Sequence, residues 1–139
     1  MPHEKLITFT DGGSRGNPGP SASGIVVKSG ETTIVAFGEY LGKTTNNIAE
    51  YTAVVRALET VRDLGAKEVD CYMDSELIVK QMKGIYRVKN AGLAPLYLRI
   101  RNLMHSFRVV HFHHVPRERN KEADAQVNIA IDRALGLGK

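Results

Sequence analysis

Apolar and polar residues alternate along the first third of the chain, which is the pattern of β-strands with one buried face. Residues 5–10 alternate in this way, and residues 23–42 hold two further alternating runs that meet at Ser29 and Gly30. Serine and glycine suit a tight turn, and strands joined by a tight turn pair antiparallel. The N-terminal part of the chain therefore predicts three antiparallel strands.

The rest of the chain places apolar residues at spacings of three and four, which is the spacing of a helix with one buried face. The clearest such segment covers residues 46–65, where an asparagine is a candidate N-cap and Gly65 is a stop signal. Shorter segments of the same kind predict helices at residues 75–84, 93–107 and 120–136.

Two short apolar segments between these helices, residues 68–73 and 108–115, predict strands. Strands that alternate with helices pair in parallel, with the helices as crossovers. The order βββαβαβα, with a helix-rich insertion, therefore predicts an α/β fold. Its five-stranded mixed sheet combines three antiparallel N-terminal strands with two parallel strands, flanked by helices. We expect residues 1–139 to form one domain, since this length suits a single core without disulfides or a structural metal.

The formal net charge of +4 is unevenly distributed. Residues 76–101 contain Glu76 as their single acid, and their basic residues are Lys80, Lys83, Arg87, Lys89, Arg99 and Arg101. A basic segment of this kind suits a polyanionic partner such as nucleic acid, although many ordinary soluble proteins carry a similar excess.

Cysteine content and hydropathy predict a compartment. Cys71 is the single cysteine and lies in a predicted strand, which is typical of a buried core residue in a reducing compartment. No apolar stretch approaches the roughly 18 residues of a membrane span, and the first residues lack the apolar region of a signal peptide. We therefore expect a cytoplasmic protein without membrane attachment, and we expect it to be a monomer.

Four carboxylates fall at the ends of the predicted elements. Asp11 ends the first strand and Asp74 the fourth, while Glu50 and Asp124 lie in the first turns of the first and last helices. Strand ends and helix starts converge at one edge of an α/β sheet, so the four acids are expected to share a small volume. Such a cluster repels itself unless divalent cations neutralise it, and Mg²⁺ or Mn²⁺ prefers carboxylate oxygens. Each acid alone is equally compatible with a helix-capping role, but their joint placement favours a metal site.

Four segments of the chain resemble the signature segments of ribonuclease H type I in its compact archaeal and bacterial form. They read FTDGGSRGNPGPSASG, TTNNIAEYTAVVRALE, MDSELIV and NKEADAQVN, and the resemblance spans nearly the whole chain. It implies the ribonuclease H-like fold and an endonuclease that cuts the RNA strand of an RNA/DNA hybrid with two Mg²⁺ or Mn²⁺ ions. The metal ligands and catalytic acids that it implies are Asp11, Glu50, Asp74 and Asp124. Asp11 would bridge both ions, and the glycines after it would let a nucleic-acid backbone approach closely.

The resemblance also implies which residues contact the hybrid. Asn17 in the first loop, with Asn46 and Asn47 before the first helix, would contact the two strands in the minor groove, and Thr45 would bind a phosphate of the DNA strand. An enzyme that cuts hybrids of any sequence must recognise the backbone and the 2′-hydroxyl. Asparagine is also a common turn and N-cap residue, so a purely structural role for each remains an alternative. The basic segment 80–101 lies where related enzymes carry a hybrid-binding protrusion.

The last loop departs from the family pattern. Related enzymes usually carry a catalytic-loop histidine between the last strand and the last helix, but this connection reads VPRER before Asn120. The local pattern places His114 in the strand, and Arg117 lies nearest the loop tip. We therefore predict that Arg117 takes part in catalysis by holding a phosphate, which a guanidinium does well although it cannot shuttle protons near neutral pH. Surface ion pairs with Glu118 or Glu122 are the alternative role.

The last helix contains a second departure. Gln126 falls at the edge of its predicted apolar stripe, where an apolar residue is expected and a buried amide without a partner costs about 1–3 kcal/mol. The stripe consists of Ala123, Val127, Ala130, Ile131 and Ala134.

Other chemistries are weakly represented. The sequence has no G-x-S-x-G motif, and the loop after Asp11 lacks the G-K-[ST] of a phosphate-binding loop. The histidines of HFHHV alternate along a strand without a cysteine partner, which disfavours a zinc site. Two other function classes stay open: a catalytically silent hybrid-binding module, which would tend to lose an acid, and a transposase or junction resolvase. The latter enzymes generally lack the N-N-x-x-E turn, present here as NNIAE.

Overall fold

A computed structural model describes residues 4–137. Its elements, in chain order, are β1 (Lys5–Ser14), β2 (Gly19–Ser29), β3 (Thr32–Thr44), α1 (Asn46–Asp63), β4 (Glu68–Met73), α2 (Glu76–Met82), α3 (Ala94–Met104), β5 (Val109–His114) and α4 (Lys121–Ala134). A short 3₁₀ turn, Arg117–Arg119, precedes α4. Among the helices of the described residues, none has the length and apolar character needed to cross a membrane.

The five strands form one mixed sheet in the order β3-β2-β1-β4-β5. β2 runs antiparallel to both β1 and β3, whereas β4 runs parallel to both β1 and β5. The predicted architecture of three antiparallel strands and two parallel ones is therefore confirmed.

The first strand is longer than predicted. β1 continues past Asp11 because it stays paired with β2 as far as the pair Ser14↔Ser21. Its parallel pairing with β4 ends earlier, at Phe9↔Tyr72. The prediction that Asp11 ends the strand is therefore wrong, and Asp11 instead lies just beyond the point where β1 and β4 separate.

Helices cover the two faces of the sheet unequally. α1 packs on β1 and β2, and α3 packs on α1, which together enclose the main hydrophobic core. The largest fully buried side chains of that core include Leu6, Ile25, Tyr51, Leu58 and Ile100. α4 packs on the antiparallel strands from the opposite face, where Ala22, Val127 and Ile131 form a small second cluster.

Glycines allow both helices to approach the sheet more closely than side chains would permit. A Cβ atom on Gly12 would overlap the backbone of Glu50, and one on Gly24 would overlap the carbonyl oxygen of Ala123. At Gly12 the missing side chain therefore makes room for α1. The close packing brings Glu50 against β1 and the start of α4 against β2.

The helix ends correct two details of the sequence prediction. Thr45, rather than an asparagine, is the N-cap of α1, and its Oγ1 accepts a hydrogen bond from the backbone N–H of Ile48 over 3.3 Å. Glu50 consequently lies beyond the first turn, not within it. Gly65 follows the end of α1 with a φ of 90°, as its predicted role as a stop signal requires.

The predicted apolar stripe of α4 is only partly buried. Ala123, Val127 and Ile131 are buried, whereas Ala134 is exposed. Gln126 lies at the edge of this stripe and is partly exposed, in a groove between α4 and β3. Its amide therefore bears less of a desolvation cost than full burial would impose.

Candidate active site

The four predicted acids lie together at one edge of the sheet. They line a single cavity of about 370 Å³, and its lining residues are Asp11, Gly12, Asn46, Asn47, Glu50, Asp74, Arg117 and Asp124. The lining therefore combines four carboxylates, two side-chain amides and one guanidinium.

Each acid is placed by a different element. Asp11 lies on β1 beyond its separation from β4, and Asp74 follows the last residue of β4. Because β1 and β4 are parallel neighbours and Asp11 and Asp74 each lie two residues beyond their last pair, Phe9↔Tyr72, the two carboxylates leave the sheet side by side. Glu50 comes from α1, which rests on Gly12, and Asp124 comes from the first turn of α4, which rests on the antiparallel strands.

The electrostatics of the cavity disfavour four free negative charges. Burial, reinforced by the charges of Asp74, Glu50 and Asp124, raises the pKa of Asp11 from 3.8 to about 8. Burial together with the charge of Asp74 raises the pKa of Glu50 to about 7, although the positive charge of Arg117 acts in the opposite direction. The metal-free cluster therefore retains protons at neutral pH, and bound cations would relieve the repulsion.

The donor set fits hydrated Mg²⁺ or Mn²⁺. Within residues 4–137, no three His, Cys, Asp or Glu side chains are arranged to hold a metal ion as they stand. Mg²⁺ keeps several water ligands and needs only one or two protein carboxylates, so a tight three-ligand cage is not required. Carboxylates are also the ligands that Mg²⁺ and Mn²⁺ prefer. The four carboxylates around this cavity therefore suit such ions, with Asp11 adjacent to the other three.

Asn120 is a site residue that the sequence pattern did not indicate. Its side chain is buried, and its Nδ2 donates hydrogen bonds to the Thr10 carbonyl oxygen over 2.9 Å and to Asp74 Oδ2 over 3.0 Å. An asparagine directly before a helix predicts an N-cap, but its side chain makes no capping hydrogen bond to α4. The local sequence around Asn120 therefore suggests capping and gives no sign of its bonds to Thr10 and Asp74.

The predicted substrate asparagines hold one another in place. Asn17 Oδ1 accepts a hydrogen bond from the backbone N–H of Asn46 over 3.1 Å. Asn46 Oδ1 accepts in turn from the backbone N–H of Ser14 over 2.8 Å. The Oδ1 atoms of Asn17 and Asn46 both accept hydrogen bonds within the protein, so a ligand would be bound by hydrogen bonds donated from their Nδ2 groups. Asn47 is exposed and lines the cavity beside them.

Arg117 and His114 occupy different environments. Arg117 lies in the 3₁₀ turn before α4, is exposed and lines the acidic cavity. His114 is the last residue of β5, as its predicted place in the strand requires, and does not line that cavity. Its neighbour His113 bonds to Asp70 Oδ1 over 3.0 Å and stacks on Tyr72.

The basic segment between α2 and α3 is largely non-helical. Residues 83–93 connect the two helices as a loop, which is exposed apart from Val88 and Leu93 and is followed by α3. Tyr86, Arg87 and Lys89 from this loop join Tyr97 and Leu98 of α3 around a surface groove. The segment therefore presents basic and aromatic side chains without forming a helix of its own between α2 and α3.

Comparison with known proteins identifies relatives over nearly the whole chain. The protein-family profile described as reverse transcriptase-like matches residues 9–130. Ribonuclease HI of Halobacterium salinarum is 42% identical over 131 residues, which cover 94% of this chain. A bifunctional protein of Mycobacterium tuberculosis is 41% identical over 132 residues, again 94% of this chain.

A solved structure agrees with these matches. LC11-RNase H1 in complex with an RNA/DNA hybrid is similar to this chain with a TM-score of 0.89 and 45% identity, over 94% of this chain and 99% of that one. This chain spans 36% of the mycobacterial protein and 66% of the haloarchaeal one, so each of those proteins contains further sequence.

Proposed function

This chain belongs to the ribonuclease H family, and we propose that it is an endonuclease that hydrolyses the RNA strand of RNA/DNA hybrids with two bound divalent cations. The observation that carries the proposal is the single cavity that holds all four acids and in which the pKa values of Asp11 and Glu50 are raised. The structure of a similar protein with an RNA/DNA hybrid supports the choice of substrate.

The four acids would hold the cations, which we propose to be Mg²⁺ or Mn²⁺. When bound, such ions supply an activated water and neutralise charge on the attacking and leaving oxygens of a phosphodiester. Asp11 interacts electrostatically with the other three acids, so we propose that it would hold the cations together with them. No side-chain nucleophile is needed, so this chain contributes oriented ligands and a fixed polar surface.

Substrate recognition rests on the amide and hydroxyl groups beside the acids. Asn17, Asn46 and Asn47 would donate their Nδ2 hydrogens to acceptors in the minor groove, where the 2′-hydroxyl distinguishes RNA from DNA. The Oγ1 of Thr45 accepts a hydrogen bond from the Ile48 N–H, and this bond does not use the hydroxyl hydrogen. That hydrogen can therefore be donated to a phosphate of the DNA strand.

Arg117 supplies the positive charge at the cavity. Its positive charge offsets part of the rise in the pKa of Glu50, and its exposed position lets it bind a phosphate through two parallel hydrogen bonds. We assign it to holding the scissile or departing phosphate rather than to proton transfer, because a guanidinium does not release its proton near neutral pH.

A nuclease assay on matched duplexes tests the proposal. Uniformly labelled RNA/DNA, DNA/DNA and RNA/RNA duplexes of one sequence are incubated with Mg²⁺, with Mn²⁺ or with EDTA. We expect internal cuts in the RNA strand of the hybrid, only with cation present, and loss of these cuts in Asp74→Asn. Binding of the hybrid without cleavage would instead identify a silent binding module, and cleavage of the DNA duplex a nuclease of the transposase or resolvase type.

We also propose that residues 1–139 act as one cytoplasmic domain that is active as a monomer. Its strands share one sheet, and the main core lies between that sheet and α1. Size-exclusion chromatography with light scattering at assay concentrations tests the monomer, and an active dimer would contradict it.

A further inference from the structure

Asn120 stands at the junction of the three elements that carry three of the acids. It directly precedes α4, and its own carbonyl oxygen accepts the backbone N–H of Asp124 over 3.1 Å. Its Nδ2 reaches the carbonyl of Thr10, the residue before Asp11, and the carboxylate of Asp74. One residue therefore links β1, the end of β4 and the start of α4 where β1 and β4 separate.

The orientation of this amide follows from its partners. Both groups around Nδ2 are acceptors, a carbonyl and a carboxylate, so the NH₂ end of the side chain must face them. Asn120 is only 1% exposed, and its Oδ1 is buried without a hydrogen-bond partner among the described residues. A residue selected only to start α4 would use that oxygen to cap the helix. The side chain instead makes no cap and bonds to the Thr10 carbonyl oxygen and the Asp74 carboxylate.

We propose that Asn120 is a positioning residue for the cation site, which orients the Asp74 carboxylate relative to Asp11. Its N–H engages Asp74 Oδ2, so the other carboxylate oxygen, Oδ1, remains available to a cation or to a cation-bound water. A partner of this kind fixes the direction of a ligand that would otherwise rotate, and its loss commonly lowers metal affinity 10- to 100-fold. This inference rests on the proposed function, since it assumes that the acids hold divalent cations.

The test is cation binding without substrate. Mn²⁺ is titrated by calorimetry into the full chain and into Asn120→Leu, which keeps a similar shape but has no donor; Asn102→Leu, an exposed asparagine on α3, is the matched control. We expect the Mn²⁺ affinity of Asn120→Leu to fall at least 10-fold and that of Asn102→Leu to stay unchanged. In hybrid cleavage, the half-saturating Mn²⁺ concentration should rise by a similar factor, with little change in KM for the hybrid.

The outcomes separate this inference from the proposed function. If the unsubstituted chain cuts hybrids with Mn²⁺ and Asn120→Leu binds Mn²⁺ equally well, the positioning role is wrong and the proposed function stands. If the unsubstituted chain neither binds Mn²⁺ nor cuts hybrids, the proposed function itself is wrong. Should circular dichroism show that Asn120→Leu is unfolded, Asn120→Ser takes its place. Its short hydroxyl cannot span both acceptors, so the same loss of affinity is expected, and unchanged affinity would again refute the role.

Discussion

Replacing Asp11 with asparagine should stabilise the metal-free protein while abolishing cleavage. The substitution keeps the size of the side chain and removes the carboxyl whose pKa burial and neighbouring acids raise to about 8. A raised pKa means that the folded chain keeps a proton that the unfolded chain releases, so stability falls as the pH rises between about 4 and 8. Asparagine removes this dependence, and its stabilising effect should therefore grow between pH 5 and pH 9.

The size of the effect follows from the shift. At about 1.4 kcal/mol per pKa unit, a rise from 3.8 to about 8 corresponds to at most roughly 6 kcal/mol. The cavity is open to water and its carboxylates can move apart, so we expect about 1–2 kcal/mol above pH 8, or a Tm higher by roughly 3–8 °C.

The assay is denaturant unfolding in EDTA at pH 5, 7 and 9, followed by circular dichroism. Asp63→Asn, at an exposed acid paired with Arg62 at the end of α1, is the control and should show no comparable pH-dependent gain. Destabilisation of Asp11→Asn by several degrees at pH 9, or a difference that does not change with pH, would refute the claim that repulsion dominates this cluster.

Three further outcomes are expected. Arg117→Ala should lower the single-turnover cleavage rate about 10-fold, or about 1.4 kcal/mol in the barrier, with little change in hybrid affinity, whereas His114→Ala should lower that rate much less. A large pH-dependent defect confined to His114→Ala across pH 6–9 would reverse this assignment. Gln126→Leu should raise the free energy of unfolding by about 0.5–1 kcal/mol without changing activity, because leucine buries more apolar surface in the groove beside β3. A loss of stability would show that the amide makes favourable contacts there. Gly12→Ala should lower the free energy of unfolding by about 1–3 kcal/mol and reduce cleavage, because its methyl group would overlap the Glu50 backbone. The control Gly92→Ala, whose methyl group would meet only a side-chain oxygen, should lower the free energy of unfolding much less. Equal effects of the two substitutions in urea unfolding would contradict the close packing of α1.

Local sequence patterns predicted most of the elements of this protein. Alternation along the N-terminal strands and three-and-four spacing in α1 and α4 reflect which side of each element is buried, a property written into neighbouring residues. The TDGG and NNIAE segments marked the strand and helix that carry Asp11 and Glu50, and the crossover order of the elements predicted the mixed sheet.

Only the tertiary structure decided how the site is assembled. The extension of β1 beyond Asp11 depends on its pairing with β2, which continues after β4 has separated. The close contact between Gly12 and the backbone of α1 joins segments that are far apart in the chain. The orientation of the Asn120 side chain likewise depends on two acceptors, one on β1 and one on the residue after β4, which no local pattern specifies. The raised pKa values have the same origin, because desolvation and charge repulsion depend on distances that exist only once distant segments have packed together.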